Sequence, residues 1–285
     1  MRGTEALAAA SRQLSEAGID GAARDARRLF AFALGIAPER VAVAAPEEIL
    51  PEVQVRFAAA VAARAARQPL AQITGLREFY GRPFRVTRDT LDPRPETEIL
   101  VAAALERPFV KMLDLGTGTG CVLLSCLAGM PMAAGTGTDI SEAALVVARE
   151  NAAALHLSRR SRFLCSDWYA EVEGRFDLIV SNPPYIAEAE IADLAPEVRD
   201  WEPRWALTPG GDGLDAYRAI ASGAGARLMA GGRLLVEIGP TQGSAVAALF
   251  AAAGLAGIAI RQDLDERDRV VIAVKPGAAE DLGRL

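Results

Sequence analysis

The sequence predicts an α/β fold, a mostly parallel sheet closed by an antiparallel last pair, preceded by a small all-helical domain. Three observations carry this. From Val110 onward short apolar runs alternate with amphipathic stretches, as in βαβ units; the last such runs are too close together for a crossover helix; and residues before Arg67 show only helical spacing. From Thr4 to about Arg67 apolar residues recur at three and four positions (Leu7, Leu14, then Leu29, Phe30, Ala33, Leu34), which reads as four or five short helices. Asp20 is expected to cap the second of them, Gly35 to stop it, and Pro38, Pro46 and Pro51 to punctuate those that follow. Glu78–Val86 is aromatic and β-branched around Gly81-Arg82-Pro83, a predicted hairpin. Asp92-Pro93-Arg94-Pro95 holds an extended loop before a helix over about 96–106. Strands are expected at Met112–Leu115, Ala133–Thr138, Arg162–Cys165, Phe176–Val180 and Arg233–Ile238, and an antiparallel pair within Gly257–Val274. The domains predicted are thus residues 1–75 (helical), 76–92 (hairpin linker) and 93–285 (α/β).

Composition narrows the class. At 285 residues, with 51% hydrophobic and 24% charged residues, the chain can bury one large or two unequal cores. No stretch offers the roughly 18 uninterrupted apolar residues of a membrane span, and the N-terminus lacks a signal-peptide core, so a cytoplasmic protein with no membrane partner is expected. Three cysteines without paired spacing (Cys121, Cys126, Cys165) fit reduced thiols rather than a disulfide frame or zinc site. The net charge of −6 argues against stable nucleic-acid binding; residues 1–80 hold 10 Arg against 9 acids, so no basic arm exists there either.

Lys111–Leu124 reads as a buried strand, a glycine-rich turn and a helix start: Leu113-Asp114-Leu115-Gly116-Thr117-Gly118-Thr119-Gly120. A dinucleotide G-x-G-x-x-G loop would need glycine at Cys121 or at Leu123, so both frames fail. The D-x-G-x-G-x-G pattern is instead similar to that of S-adenosylmethionine-dependent methyltransferases. That cofactor carries no pyrophosphate but has an ammonium and a sulfonium, which favour a nearby carboxylate such as Asp114. Asp139, ending the next strand, can accept both ribose hydroxyls; Asp167, within Ser166-Asp167-Trp168, offers an acceptor for the adenine amino group, and Trp168 a flat face. Each has a structural alternative: strand-end cap for Asp114, turn residue for Asp139, core aromatic for Trp168.

The second motif is Ser181-Asn182-Pro183-Pro184-Tyr185 at the end of an apolar strand. A planar NH₂ conjugated to a carbonyl or ring is a poor nucleophile, since its lone pair is delocalised. The Asn182 side-chain oxygen and the Pro183 carbonyl can accept its two protons, aligning the nitrogen and stabilising the positive charge that builds on it. Tyr185 would stack on the planar group. The alternative is a rigid Asn-Pro-Pro turn.

Together these motifs resemble the peptide chain release factor N5-glutamine methyltransferases, a family of Rossmann-like class I enzymes. The match extends through Pro69-Leu70-Ala71-Gln72-Ile73-Thr74-Gly75, Arg77-Glu78-Phe79, Pro93-Arg94-Pro95-Glu96-Thr97-Glu98, Ser166-Asp167-Trp168 and Glu202-Pro203-Arg204-Trp205-Ala206-Leu207 with Gly213-Leu214, nearly the whole chain. The resemblance implies methyl transfer from S-adenosylmethionine, leaving S-adenosylhomocysteine, to the glutamine amide of the Gly-Gly-Gln motif in class I release factors, with the helical domain docking that partner. It implies cofactor contacts at Gly116, Thr117, Gly118, Thr119, Gly120, Asp139, Trp168 and Asn182, to which the reading of the residues adds Asp114 and Asp167, and a substrate site at Asn182, Pro183, Pro184 and Tyr185; catalysis is expected of Asn182, Pro183 and Tyr185, and no metal is expected. Asp92, where an apolar residue is common, and the Gly/Ala-rich Pro131–Gly137 depart from the family pattern. Two other readings stay open on the residues: an adenine N6-methyltransferase of nucleic acid, whose substrate also offers a planar NH₂, and a non-catalytic adaptor built on the same fold.

Other residues invite less. His156, the single histidine, lies in an Ala/Leu segment without ligand spacing and reads as a surface or core spacer. Arg94 and Glu98 either shape a substrate mouth or form a structural ion pair. Glu188, Glu190, Asp193 and Glu197 read as a solvated helical face that could meet a basic partner.

Overall fold

The computed structural model describes residues 1–277; the end of the α/β range expected from the sequence, 278–285, lies outside the described residues. The chain divides into two compact units, residues 1–76 with 195–201, and residues 77–194 with 202–285.

The first unit is helical: α1 (Gly3–Glu16), α2 (Ala22–Leu34), α3 (Val41–Ala44), α4 (Pro51–Ala65) and α5 (Leu70–Thr74). Along α2 the buried residues Ala22, Ala26, Leu29, Phe30 and Ala33 form one stripe. They close a core with Leu14, Val53 and Phe57, where the Phe30 and Phe57 rings meet edge to face at 5.1 Å. Gly35 ends α2 in the left-handed conformation (φ 68°), as expected. The expected N-cap differs: Gly21, also left-handed, occupies that position and no side chain caps the helix, so Asp20 lies one residue too early. The segment 195–201 carries α9 (Pro196–Arg199). Arg64, itself paired with buried Asp25 at 2.9 Å, reaches Glu197 at 3.2 Å, as does Arg67, and Gln72 donates to the Trp201 carbonyl. Glu197 is therefore held by two arginines rather than solvated; Glu188, Glu190 and Asp193 stay exposed on a 3₁₀ turn.

The second unit opens with the hairpin β1 (Leu76–Phe79, its first residue counted with the helices) and β2 (Arg82–Arg85). Its turn is Tyr80-Gly81, both at positive φ (50° and 70°), a two-residue connection whose twist suits a hairpin. Arg82 and Pro83, expected in the turn, already belong to the second strand. The main sheet contains β3 (Lys111–Leu115), β4 (Ala134–Asp139), β5 (Ser161–Cys165), β6 (Phe176–Ser181), β7 (Leu228–Glu237), β8 (Ala256–Gln262) and β9 (Asp268–Val274), in the order 5-4-3-6-7-9-8. Strands β5 to β7 in that order pair parallel; β9 runs antiparallel to both β7 and β8, as the short connection demands. The helices are α6 (Glu98–Leu105), α7 (Cys121–Gly129), α8 (Glu142–Ala154), α10 (Arg204–Leu207), α11 (Asp215–Arg227) and α12 (Gly243–Ala252). Two separate apolar layers form, one of α6, α7 and the hairpin phenylalanines Phe79 and Phe84, the other of α11 and α12 with Tyr217 and Phe250. The continuous burial of Met112–Leu115 and Leu178–Ser181 is what parallel strands covered on both faces require. The Gly/Ala-rich run before Asp139 still forms β4 in register with both neighbours, because Gly135 and Gly137 lie against Leu123 and Phe163, where a Cβ would collide.

Two buried polar side chains set the site. Arg233 on β7 donates to the carbonyls of Ala104 and Arg107 at 2.9 and 2.7 Å, satisfying the exposed end of α6. Asn151 on α8 joins the hairpin to the glycine loop: Nδ2 donates to the carbonyls of Thr119 (2.9 Å) and Arg85 (3.1 Å), and Oδ1 accepts the Arg85 N–H (2.7 Å). Asn151→Ala strands buried backbone groups, so it should lower stability by about 1–3 kcal/mol; an unchanged thermal midpoint would show that the loop does not need this tie.

Candidate active site

The sheet begins at β3, grows through β4 and β5, then reverses to β6 and β7 on the other side. Between the ends of β3 and β6 the connections diverge and leave a crevice, the usual ligand position in an open α/β sheet. A cavity of about 350 Å³ opens there, wholly within the second unit. Of the residues expected at the site, Asp114, Gly116, Thr117, Gly118, Thr119, Asp139, Asp167, Trp168, Asn182 and Pro184 line it; Gly120, Pro183 and Tyr185 do not.

The glycine loop is pinned at two consecutive residues. Thr117 N–H donates to the Thr138 carbonyl at 2.8 Å, and Gly118 N–H to Asp139 Oδ2 at 2.9 Å, so the loop is tied to the neighbouring strand. Gly116 and Gly118 have φ of 68° and 53°, and a Cβ on either would point into open space. Glycine is there for its backbone conformation, and the bare backbone faces the cavity. Asp139 also accepts the Ser141 N–H at 2.9 Å, and that serine caps α8. Each Asp139 oxygen thus spends one lone pair on the backbone and retains another for a ligand.

Asp114 is 1% exposed and accepts a 2.7 Å hydrogen bond from Thr117 Oγ1. Burial pushes its carboxyl up to about 7, against the opposing hydrogen bond from Thr117. Six aspartates (Asp89, Asp92, Asp114, Asp139, Asp167, Asp215) but one cation, Arg94, line the cavity. Such a lining draws cations and repels phosphates.

Asn182, just past β6, donates through Nδ2 to Thr97 Oγ1 at 3.1 Å, which orients the amide and leaves Oδ1 to accept from a ligand. Ser181 anchors this strand end by donating to the Leu115 carbonyl at 2.7 Å. Tyr185 instead packs against the α11/α12 core layer, and burial raises its phenol to about 12. Its carbonyl accepts from Gln242 Nε2 at 2.9 Å. Trp168, at φ 47°, packs against the same layer and also lines the cavity.

Sequence reasoning missed a second tier. Arg94 pairs with Glu202, Nη2 lying 2.8 and 2.7 Å from its two oxygens, whereas Glu98 accepts the Tyr80 N–H; the pairing considered for Arg94 and Glu98 is absent. Asp92 lies 3.9 Å from Arg94, and its Oδ1 is buried without a hydrogen-bond partner. Thr97 entered only as part of the Pro93–Glu98 motif, and Glu237 was unmarked. The signal for Glu237 was there: an acid inside the apolar run Leu234-Leu235-Val236-Glu237-Ile238. His156 is exposed and outside the cavity, and no cluster of metal-ligating residues occurs among the described residues.

Asp114 holds its proton to about pH 7 in the folded chain but releases it near 3.8 when unfolded. Its favourable contribution is therefore present below 3.8 and lost as pH rises through about 7. Asp114→Asn, permanently neutral, should gain thermal midpoint relative to the parent between about pH 5 and about pH 8 without ligand; a difference that stays constant would remove the burial effect claimed for this carboxyl.

The chain is similar to known proteins in sequence and in fold. Residues 87–212 match the methyltransferase small domain and residues 5–75 the PrmC N-terminal domain. The release factor glutamine methyltransferase of Cereibacter sphaeroides is 62% identical, covering 98% of this chain and 100% of its own length. Those of Rhodospirillum rubrum (45% identical; 93% and 83% covered) and Caulobacter vibrioides (43%; 95% and 96%) are also similar. Among solved structures, a methyltransferase from Pyrococcus furiosus (TM-score 0.53, 17% identical, 68% of this chain and 88% of that one) and the human Mettl16 catalytic domain solved with an RNA hairpin (TM-score 0.59, 15%, 76% and 82%) share the fold. No helix among the described residues is long and apolar enough to cross a membrane. The chain belongs to the release factor glutamine methyltransferase family.

Proposed function

We propose that this chain transfers a methyl group from S-adenosylmethionine to the side-chain amide nitrogen of the glutamine in the Gly-Gly-Gln motif of class I peptide chain release factors. The observation that carries the chemistry is Asn182: its Nδ2 donates to Thr97, which fixes the amide with Oδ1 turned away from that partner, and the residue lines a cavity with six aspartates.

The cavity fits the cofactor on three counts. Gly116 and Gly118 present bare backbone to open space, Asp114 is a buried carboxyl that a cation would ionise, and Asp139 keeps free lone pairs at the end of β4. S-adenosylmethionine would supply an electrophilic methyl on a sulfonium. Asp114 would set the potential around its charged end, Asp139 hold the ribose, and Asp167 with Trp168 receive the adenine. Asn182 Oδ1 would accept one N–H of the glutamine amide, orienting a nitrogen that resonance makes a weak nucleophile and stabilising the charge that develops on it. Pro183, whose carbonyl would be the second acceptor, lies outside the lining, and Pro184 rather than Tyr185 forms the adjoining wall. The methylated nitrogen is strongly acidic, and water suffices to take its proton.

In this reading the helical domain, 1–75, docks the release factor, 76–92 links it, and 93–285 performs the chemistry. A substrate of translation termination places the reaction in the cytoplasm. The acidic lining and the net charge of −6 favour a protein acceptor over nucleic acid.

Incubating the protein with labelled S-adenosylmethionine and a release factor, the same factor with its motif glutamine replaced, or DNA should label only the first; label on DNA overturns the reading. Asn182→Ala should lose about 10²-fold or more in turnover while cofactor affinity falls much less. Equal losses in both would make Asn182 a wall of the cofactor pocket instead.

A further inference from the structure

Between Asn182 and Tyr185 the chain offers no main-chain donor, because Pro183 and Pro184 have no backbone N–H. The far end of the motif must therefore be fixed from outside. That happens at the peptide unit joining Tyr185 to Ile186, which is gripped on both sides. Its N–H donates to the Leu207 carbonyl of α10 at 3.0 Å, and its carbonyl accepts from Gln242 Nε2 at 2.9 Å.

Gln242 stands at the start of α12, on the connection leaving β7. Its surroundings dictate which way its amide points. The Gly239 N–H, which can only donate, meets Oε1 at 3.0 Å, and the Tyr185 carbonyl, which can only accept, meets Nε2. A flipped amide would lose both bonds. The Tyr217 hydroxyl lies 3.3 Å from the same Oε1 and 2.9 Å from the Glu237 carbonyl, so the glutamine is closed in from α11 as well. Gly213 leaves room for the contact: at φ 78°, a Cβ there would lie 2.5 Å from the Tyr185 oxygen and 3.1 Å from Gln242 Nε2.

We propose that Gln242 is a positioning residue for methyl transfer, holding the Asn182–Tyr185 segment in the path that presents Asn182 to the methyl acceptor. This rests on the reading of Asn182 given above. Thr97 orients the Asn182 amide, whereas Gln242 fixes the main chain that carries it. Ser181 is tied to Leu115 at one end, the 185–186 peptide is gripped at the other, and the prolines between hold φ near about −65°. Releasing one grip lets the segment shift, and a displacement of about 1 Å at a reacting centre can cost about 10²-fold in rate.

Gln242→Glu tests the donor specifically. It keeps the size and the acceptor for Gly239 but puts an oxygen where Nε2 stood. Ionised, that oxygen meets the Tyr185 carbonyl with no proton between them; protonated, it donates and restores the tie. Around this position lie the Tyr185 and Tyr217 phenols, Glu237 ending β7, Asp268 of β9 beside Gly243, and Arg269 of β9 facing Tyr185. Partial burial and the two acids raise a carboxyl placed here above its ordinary value of about 4.3, with Arg269 opposing them.

The full chain is assayed on a release factor at saturating cofactor, with calorimetric cofactor affinity and thermal midpoint measured on every variant. At about pH 8, Gln242→Glu should have a kcat about tenfold or more below that of the parent, and the ratio should close to within about threefold as pH falls to about 6. Gln242→Met, which neither donates nor ionises, should lose about tenfold or more at both pH values. Cofactor affinity should stay within about threefold of the parent in both variants. Parental kcat in either variant at pH 8, a Gln242→Glu deficit that does not change with pH, or cofactor affinity falling in step with kcat overturns the proposal. If Gln242→Glu does not fold, the kcat and cofactor affinity of Gln242→Met decide alone. A parent that labels no release factor overturns the proposed function and this role with it, whereas an active parent with equally active variants overturns this role only.

Discussion

Everything at the site depends on one constraint of chain topology, the reversal of strand order between β3 and β6. A strand that begins the sheet and sends its connection one way, beside a strand whose connection goes the other way, leaves a gap that no crossover helix can cover. Side chains at strand ends therefore meet there without being close in sequence. Asp114, Asp139, Asn182 and Glu237 stand at or just past the ends of β3, β4, β6 and β7, and the first three are held by backbone or hydroxyl groups of an adjoining segment. The register between β3 and β6, with Leu115 opposite Ser181, and the hydrogen bond between those residues keep the glycine loop and Asn182 at constant separation.

The electrostatics of the crevice trade stability for readiness. Asp114, Glu202 and Glu237 all have carboxyls raised to about 7, each chiefly by burial, and each lies in or beside a cavity that has one arginine. Buried acids poised near neutrality are unfavourable for folding above their pKa, and such groups gather where function needs them. Arg94 shows the same economy: bound to Glu202 through both oxygens, it keeps the mouth from being purely anionic without neutralising the interior.

Hydrogen-bond polarity matters as much as charge. A carbonyl and an amide group of Asn are nearly isosteric, so shape alone cannot tell a cavity which of them to present. The environment must choose, and at Asn182 the Thr97 hydroxyl does so by accepting from Nδ2 at 3.1 Å.

Much of this was legible in the sequence. Periods of two and three to four residues, glycine punctuation and a connection too short for a helix are local signals, and they determine that there is a helical region, a mostly parallel sheet and an antiparallel end. The motifs around Asp114 and Asn182 are local too, since loop conformation and strand-end chemistry reside in consecutive residues. Short-range details already slipped where two local solutions compete, as in the hairpin turn at Tyr80-Gly81 rather than at Arg82-Pro83, and the cap at Gly21 rather than Asp20. What only the tertiary structure decided is pairing at long range. Arg94 meets Glu202 across 108 positions, Asn182 meets Thr97 across 85, and Tyr185 turns into the α11/α12 layer although its neighbour Pro184 lines the cavity. Such contacts leave no periodic trace, because they arise from packing sheet and helices together and not from the conformational preferences of any one segment.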